Sequence, residues 1–345
     1  MPKQSNYFGI FSCYYTSKEG GDLRLANSKT QKKSSSARRQ LKKNLILLTM
    51  VLPTAIWLIL LRYLPMFGIT IAFKDYKIYT KAPGLINNII HSKWVKFDNF
   101  KFLFATTDSL KMIRNTVGYN LLWIFLGLVI SVSFAIILNE ITNKFVAKTY
   151  QTLMFFPYFI SWVVVSYFVM ALLDPTNGLI VKWQIRNFGE ATNWYHTSQP
   201  WPVILTLANL WKNTGYSCIL YLTAITGIDK TLYEAASIDG ATKWQQVKYV
   251  TLPNLRTMIA ILLIMNISKI FNSDFGLFWN VPLASGSILD VTQTIDTYVY
   301  RSLAATGGNL GMTTAAGVFQ NVVGFVCMLL ANSVVKRIDA ESSLF

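Results

Sequence analysis

Charge, histidine and cysteine are all scarce in this 345-residue chain. Asp, Glu, Lys and Arg make up 14% of it, against roughly a quarter in an ordinary soluble domain. Together with 52% apolar residues, that excludes intrinsic disorder, which needs low hydrophobicity. Two histidines, His91 and His196, and three widely spaced cysteines, Cys13, Cys218 and Cys327, offer neither a zinc-ligand spacing nor a disulfide framework. Free thiols are the simpler reading. No G-x-x-x-x-G-K-S/T loop is there to cradle nucleotide phosphates, and no G-x-S-x-G or H-E-x-x-H motif occurs. No catalytic residue, no metal site and no cofactor bound by this chain is therefore expected. Nor is a secretory leader: the basic start runs to residue 44 with no small-residue cleavage site behind the first apolar run.

What the chain has is apolar length and positive charge. Its mean hydropathy is +0.37, and 32 Lys/Arg against 16 Asp/Glu give a formal charge of +16. A soluble nucleic-acid binder would carry such charge on a polar surface, so no nucleic acid is expected as a partner. The combination predicts an all-α membrane protein. Thr116–Leu138, Thr149–Leu173 and Met312–Val335 are uncharged runs of 23, 25 and 24 residues, each long enough to span where about 20 are needed. Leu45–Leu61 is shorter and contains Pro53, with Arg62 placed to snorkel. Pro202–Ile225 and Thr257–Trp279 carry one lysine each, Lys212 and Lys269. About six spans follow, near 45–65, 115–139, 149–173, 202–226, 257–279 and 312–335.

Six spans put both termini on one side. Residues 1–44 hold ten Lys/Arg, and with the 140–149 and 226–256 loops and residues 336–345 that side collects eighteen, against eleven opposite. The positive-inside bias makes this side cytoplasmic, with 1–44 a basic tail that anionic lipid headgroups would attract. Eight of the eleven opposing basic residues lie in Met66–Arg114, a segment whose charge has no other evident purpose.

Residues 227–253, between the fourth and fifth spans, form two short amphipathic helices joined by a turn. Thr231 with Glu234, and Thr242 with Gln245, fit capping boxes, and Gly240 can take the positive φ that closes the first helix. Leu232, Ala235 and Ala236 make one apolar stripe and Trp244, Val247 and Val250 another. By physics alone such a hairpin could simply rest in the headgroup interface, with Glu234 only a capping residue.

Glu234-Ala235-Ala236, Gly240, Val250 and Leu252-Pro253 resemble the EAA loop of binding-protein-dependent ABC importer permeases: EAA, three residues, Gly, nine residues, an aliphatic, one residue, Leu-Pro. Val250 replaces the more usual Ile. From about residue 45 onward the chain is similar to the subfamily serving oligosaccharides and polysaccharides, through Arg62-Tyr-Leu-Pro-Met-Phe-Gly68, Ala72-Phe-Lys-Asp75, Leu138-Asn-Glu140, Phe159-Ile-Ser-Trp-Val-Val164, Trp211-Lys212, Gly227-Ile-Asp229 and Asp296-Thr-Tyr-Val-Tyr300.

The resemblance implies a type I, MetI-like permease fold in a bacterial plasma membrane. It implies a second homologous permease subunit, a cytoplasmic ATPase dimer that carries ATP and Mg, and an extracytoplasmic solute-binding protein. It assigns Glu234, Ala235, Ala236, Asp239, Gly240, Leu252 and Pro253 to ATPase coupling. The rival class is an ion-coupled secondary transporter, which usually relies on mid-membrane carboxylates; here Glu140, Asp174 and Asp274 lie near span ends.

Polar stripes occur on three spans. Asn266, Lys269 and Ser273 with Asn272 lie on the fifth, Asn209, Asn213, Tyr216 and Leu220 with Trp211 and Lys212 on the fourth, and Thr313, Gly317, Gln320 and Gly324 with Asn321 on the sixth. Each stripe could be helix packing or a substrate pathway. Lys212 and Lys269 would favour an anionic sugar if they face a lumen, and say nothing of substrate if they snorkel or pair internally. The outer aromatics Trp183, Trp194, Tyr195 and Trp201 fit either an interfacial belt or a docking patch for the binding protein.

Overall fold

The computed structural model describes residues 34–77, 84–105, 107–304, 309–339 and 343–344. Most of the basic tail, with Cys13, lies outside them. Contacts divide the chain into two units, Met1–Tyr63 and Leu64–Phe345. The described part of the first is a helix, α1 (Ser34–Leu58), with Pro53 inside it, followed by wide turns over Ile59–Tyr63.

The second unit begins with 3-10 turns (Leu64–Phe73) and a two-stranded antiparallel pair, β1 (Lys74–Asp75) and β2 (Lys93–Trp94). Four of the eight basic residues of Met66–Arg114 have local partners here. Lys74 is buried and donates to the carbonyl of Ile89 at 2.5 Å, in the last turn of helix Leu85–His91, with its ammonium 5.1 Å from the Trp94 ring. A cation there satisfies carbonyls the helix leaves open. Lys77, Lys101 and Lys111 pair with Asp75, Asp98 and Asp108.

The long elements are α2 (Thr107–Glu140), α3 (Lys144–Phe155), α4 (Trp162–Leu173), α5 (Trp201–Thr226), α6 (Lys230–Ile238), α7 (Leu252–Ile267) and α8 (Leu310–Ile338). Among the described residues four helical stretches are long and apolar enough to cross a membrane: Leu48–Phe73, Thr107–Glu140, Lys243–Ile267 and Leu310–Ile338. The expected third span is not one rod. Pro157 lies in a 3-10 turn after α3, Ser161 caps α4, and the two helices meet at 97°. The expected fourth span is the 26-residue α5, which falls short on apolarity because Asn209, Lys212 and Asn213 interrupt it. The fifth span, expected near 257–279, lies earlier in the chain: α7 stops at Ile267, and turns carry the chain over 268–274 to a short helix, Phe275–Asn280.

α2 and α5 run side by side in the same direction. The Trp123 indole donates to Thr206 Oγ1 at 3.1 Å, and eight residues further along both helices Ser131 Oγ donates to the Thr214 carbonyl at 3.4 Å. The core is stacked along this pair. One cluster gathers Tyr119, Trp201, Leu205, Leu277 and Phe278, another gathers Val132, Leu138, Cys218, Ile225 and Leu255, and a third gathers Leu103, Met112, Ile295 and Ala316. Trp201, fully buried, contributes about 3 kcal/mol by area; it is core rather than interfacial belt, as is Tyr195, while Trp183 stays exposed.

Candidate functional site

The second unit has a half-open cavity of about 640 Å³ between α2, α5, α7 and the turns after α7, within the size range of small-molecule sites. Of the sequence-predicted residues, Asn213, Tyr216, Asn266, Lys269, Asn272 and Ser273 all line it, together with Asn209 and Leu220. Asn120, Trp123, Tyr158 and Asp274 complete its polar and aromatic wall. Asn120 is a lone amide in a 23-residue uncharged run, which is the trace sequence reading could have used.

Other predicted residues lie elsewhere. Trp211 is half exposed and outside the lining. Asn321 donates to the Gly317 carbonyl within its own helix at 2.8 Å. Gln320 is buried and donates to the Phe271 carbonyl at 2.8 Å. Lys212 is 8% exposed, and its ammonium donates to the carbonyls of Tyr158 at 2.7 Å and Ile160 at 2.5 Å, with Pro157 at 3.4 Å. It also lies 5.3 Å from the Trp162 ring. A buried cation needs such partners, and these are the carbonyls freed by the break between α3 and α4. Close backbone approach helps: a Cβ at Gly215 would overlap the Met154 carbonyl.

The turns over 268–274 put four cavity residues in place, so the stripe expected on one continuous helix is instead held on an unwound segment. Side chains from three neighbours fix that segment. Asn120 donates to the carbonyls of Ile270 at 3.0 Å and Asn272 at 2.8 Å. Gln320 holds Phe271, and Asp296 Oδ2 accepts from the Ser273 amide at 2.6 Å and the Ser273 hydroxyl at 2.7 Å. Gly324 of α8 backs onto the Ser268 carbonyl so closely that a Cβ would overlap it. Irregular backbone at membrane depth is tolerated where it is buried in protein or lines a cavity. Tyr158 and Tyr216 stack at 4.6 Å and 12° on one wall, offering the flat apolar surface that the C–H face of a sugar ring can cover.

At the other end of α7 lies the hairpin. Asp229, not Thr231, caps α6: its carboxylate accepts the Thr231 amide at 3.0 Å, and that bond holds the carboxyl below its ordinary range. Gly240 has φ +77°. The Gly240 amide donates to Ser237 and the Ala241 amide to Ala236, at 3.1 and 2.9 Å, a complete Schellman closure. Thr242 and Gln245 form the capping box of the next turn. Tyr233 and Thr251 hydroxyls bond at 2.9 Å, Gln246 donates to Ser237 Oγ at 2.8 Å, and Lys243 pairs with Glu140 at 3.1 Å. The hairpin is thereby tied to the start of the Lys243–Ile267 stretch, where Leu252 and Pro253 open α7. Glu234, Ala235 and Asp239 are exposed, and Ala236 is partly covered. The Glu234 carboxylate makes no hydrogen bond or ion pair among the described residues, and Ile238 and Trp244 of the same hairpin are 87% and 74% exposed. Trp244 therefore does not join the buried stripe expected of it, although Val247 does.

The family model for binding-protein-dependent transport system inner membrane components matches residues 124–340. Protein LplB of Bacillus subtilis (strain 168) is 31% identical over 313 residues, 90% of this chain and 95% of its own. The polygalacturonan/rhamnogalacturonan transport system permease protein YteP of the same organism is 33% identical over 292 residues, 85% and 88%. The crystal structure of a bacterial ABC transporter involved in the import of the acidic polysaccharide alginate is similar at TM-score 0.77 and 31% identity, covering 88% of this chain and 99% of that one. A structure of the alginate transporter in complex with an alginate pentasaccharide-bound periplasmic protein matches at TM-score 0.75 and 31% identity, over 87% and 97%.

Proposed function

The chain belongs to the family of binding-protein-dependent transport system inner membrane components, and from that premise we propose that it is half of the path by which an ABC importer brings oligosaccharides or polysaccharide fragments into a bacterial cell. The observation that carries this reading is a mechanical continuity. One helical stretch, Lys243–Ile267, begins at the hairpin and ends at the unwound segment lining the cavity. Its 25 residues span about 37 Å, so a push on the hairpin is delivered to Lys269, Asn272 and Ser273.

The second half of the path is a homologous permease subunit. A cytoplasmic ATPase dimer carrying ATP and Mg docks on the exposed face around Glu234, Ile238 and Trp244, where a free carboxylate among apolar side chains suits an arginine in an apolar cleft. An extracytoplasmic solute-binding protein delivers the sugar; the alginate importer's complex with its periplasmic protein supports this partner. The termini face the cytoplasm, in keeping with the eighteen Lys/Arg on that side. The chain itself performs no chemistry: its amides exchange hydrogen bonds with sugar hydroxyls and its tyrosines cover ring faces.

The test is ATPase stimulation of the reconstituted complex by sugar-loaded binding protein. Wild-type complex should respond to an oligosaccharide, and Glu234→Ala should lose the response while the chain still inserts. Full stimulation in Glu234→Ala would remove the coupling role, and a wild-type complex deaf to every oligosaccharide would remove the cargo.

A further inference from the structure

The geometry points to Lys269 as the charge-selecting group of the cavity, which binds the carboxylate of an anionic sugar; this deepens the reading above and rests on it. The wall carries two charged residues, Lys269 and Asp274. Asp274 is engaged on both oxygens: Oδ2 accepts the Trp162 indole at 2.7 Å and Oδ1 accepts the Leu277 amide at 3.3 Å, the latter as a helix cap. Lys269 is exposed and lines the cavity, and its ammonium makes no hydrogen bond or ion pair among the described residues. The lining therefore offers one cation with all three ammonium hydrogens open, beside an exposed carboxylate each of whose oxygens already accepts one bond.

The other lysine within the helices makes the contrast. Lys212 is buried on three backbone carbonyls and presents nothing to a ligand. Two lysines that sequence alone leaves equivalent thus have separate duties, one structural and one facing cargo.

A neutral sugar would be served by the amides alone. Asn266 and Asn272 flank Lys269 in the lining, and each amide both donates and accepts, as hydroxyls do. A carboxylate leaving water needs more, because an unpaired charge in a partly desolvated site is costly. An ammonium supplies the charge-assisted bonds that offset this. Its place on the unwound segment also matters: it is held by Asn120, Gln320 and Asp296 on the backbone side, so the flexible lysine stem alone need adapt as successive acidic residues pass.

The probe pair that isolates charge is tetragalacturonate and its fully methyl-esterified form, carried by the complete importer in proteoliposomes with its binding protein. Both the binding protein and any loss of folded complex cancel in the ratio of acid to ester transport, compared between variant and wild type. Lys269→Gln should lower that ratio about tenfold, the effect of losing one hydrogen bond to a charged group, and Lys269→Arg should restore most of it. A ratio unchanged in Lys269→Gln, or a wild type that prefers the ester, overturns the assignment while leaving oligosaccharide import standing. A wild type that carries neither overturns both.

Discussion

The ammonium of Lys212 lies 2.5 Å from the carbonyl oxygen of Ile160, 52 residues earlier in the chain. That contact closes the break between α3 and α4. A helical path that stops at Phe155 and restarts at Trp162 leaves carbonyls with no helical partner, and in hydrocarbon each costs several kcal/mol. One lysine from α5 answers two of them, at Tyr158 and Ile160, and also reaches the Pro157 carbonyl that accepts the Ile160 amide; its positive charge suits the negative end of α3.

Lys212→Met should therefore destabilise the folded chain by about 3 kcal/mol, the penalty for stranding buried acceptors, seen as an earlier thermal transition of the detergent-purified complex. Lys212→Arg should recover only part of the loss, since a planar fork does not fit three converging oxygens. The acid-to-ester ratio of whatever complex survives should match wild type. A Lys212→Met complex that melts like wild type would refute the brace.

Gly240 tests the hairpin. A Cβ there meets nothing within 4 Å, so the whole cost of a side chain comes from its φ of +77°. Gly240→Ala should cost about 1–2 kcal/mol of local stability, and Gly240→Asn less, because asparagine tolerates the left-handed region. Hydrogen exchange at the Ala241 amide, which the Schellman closure protects, should quicken in Gly240→Ala more than in Gly240→Asn. Equal exchange in all three would show that the turn does not depend on glycine.

The hairpin was legible in sequence because its rules are local: a capping box, a closing glycine and an EAA spacing sit within a few residues of one another. Uncharged length made Thr107–Glu140 and Leu310–Ile338 legible, two of the four stretches among the described residues that are long and apolar enough to cross a membrane, where about six spans were expected. The breaks were not legible. Nothing within Thr149–Leu173 except Pro157 hints at a 97° bend, and what holds that bend is Lys212, which sequence could describe only as a lysine in an apolar run. Likewise Lys269, Asn272 and Ser273 keep helical spacing in the sequence but sit on turns, because Asn120, Gln320 and Asp296 offer their backbone better partners than a further helical turn would. Long-range partners for backbone groups are the information that periodicity omits. The same cause takes Gln320 out of the expected stripe, since it reaches the Phe271 carbonyl, whereas Asn321 turns back on Gly317 within its own helix.

Asp296 brings these threads to one atom. Its Oδ2 accepts the Ser273 amide, the Ser273 hydroxyl and, at 3.3 Å, the Gln320 amide, so one carboxylate oxygen joins helix Ile295–Ala304 to α8 and the unwound segment. Hydrogen bonds to charged groups are worth about 1.5–3 kcal/mol each in net stability, and these share an acceptor, so they act together rather than additively. Asp296→Ala should free the Ser273 end of the segment, lowering thermal stability by about 3 kcal/mol and depressing transport of acid and ester forms alike, because the backbone that presents Asn272 and Ser273 to the cavity loses one of its three side-chain anchors. Asp296→Asn keeps an oxygen in place with weaker, neutral bonds and should retain an intermediate level of both. That pattern separates anchoring from charge selection: Lys269 changes the ratio of the two cargoes, whereas Asp296 changes their sum. If Asp296→Ala instead shifted the ratio while leaving stability intact, the carboxylate would be acting on the cargo and not on the backbone that presents Lys269 to it.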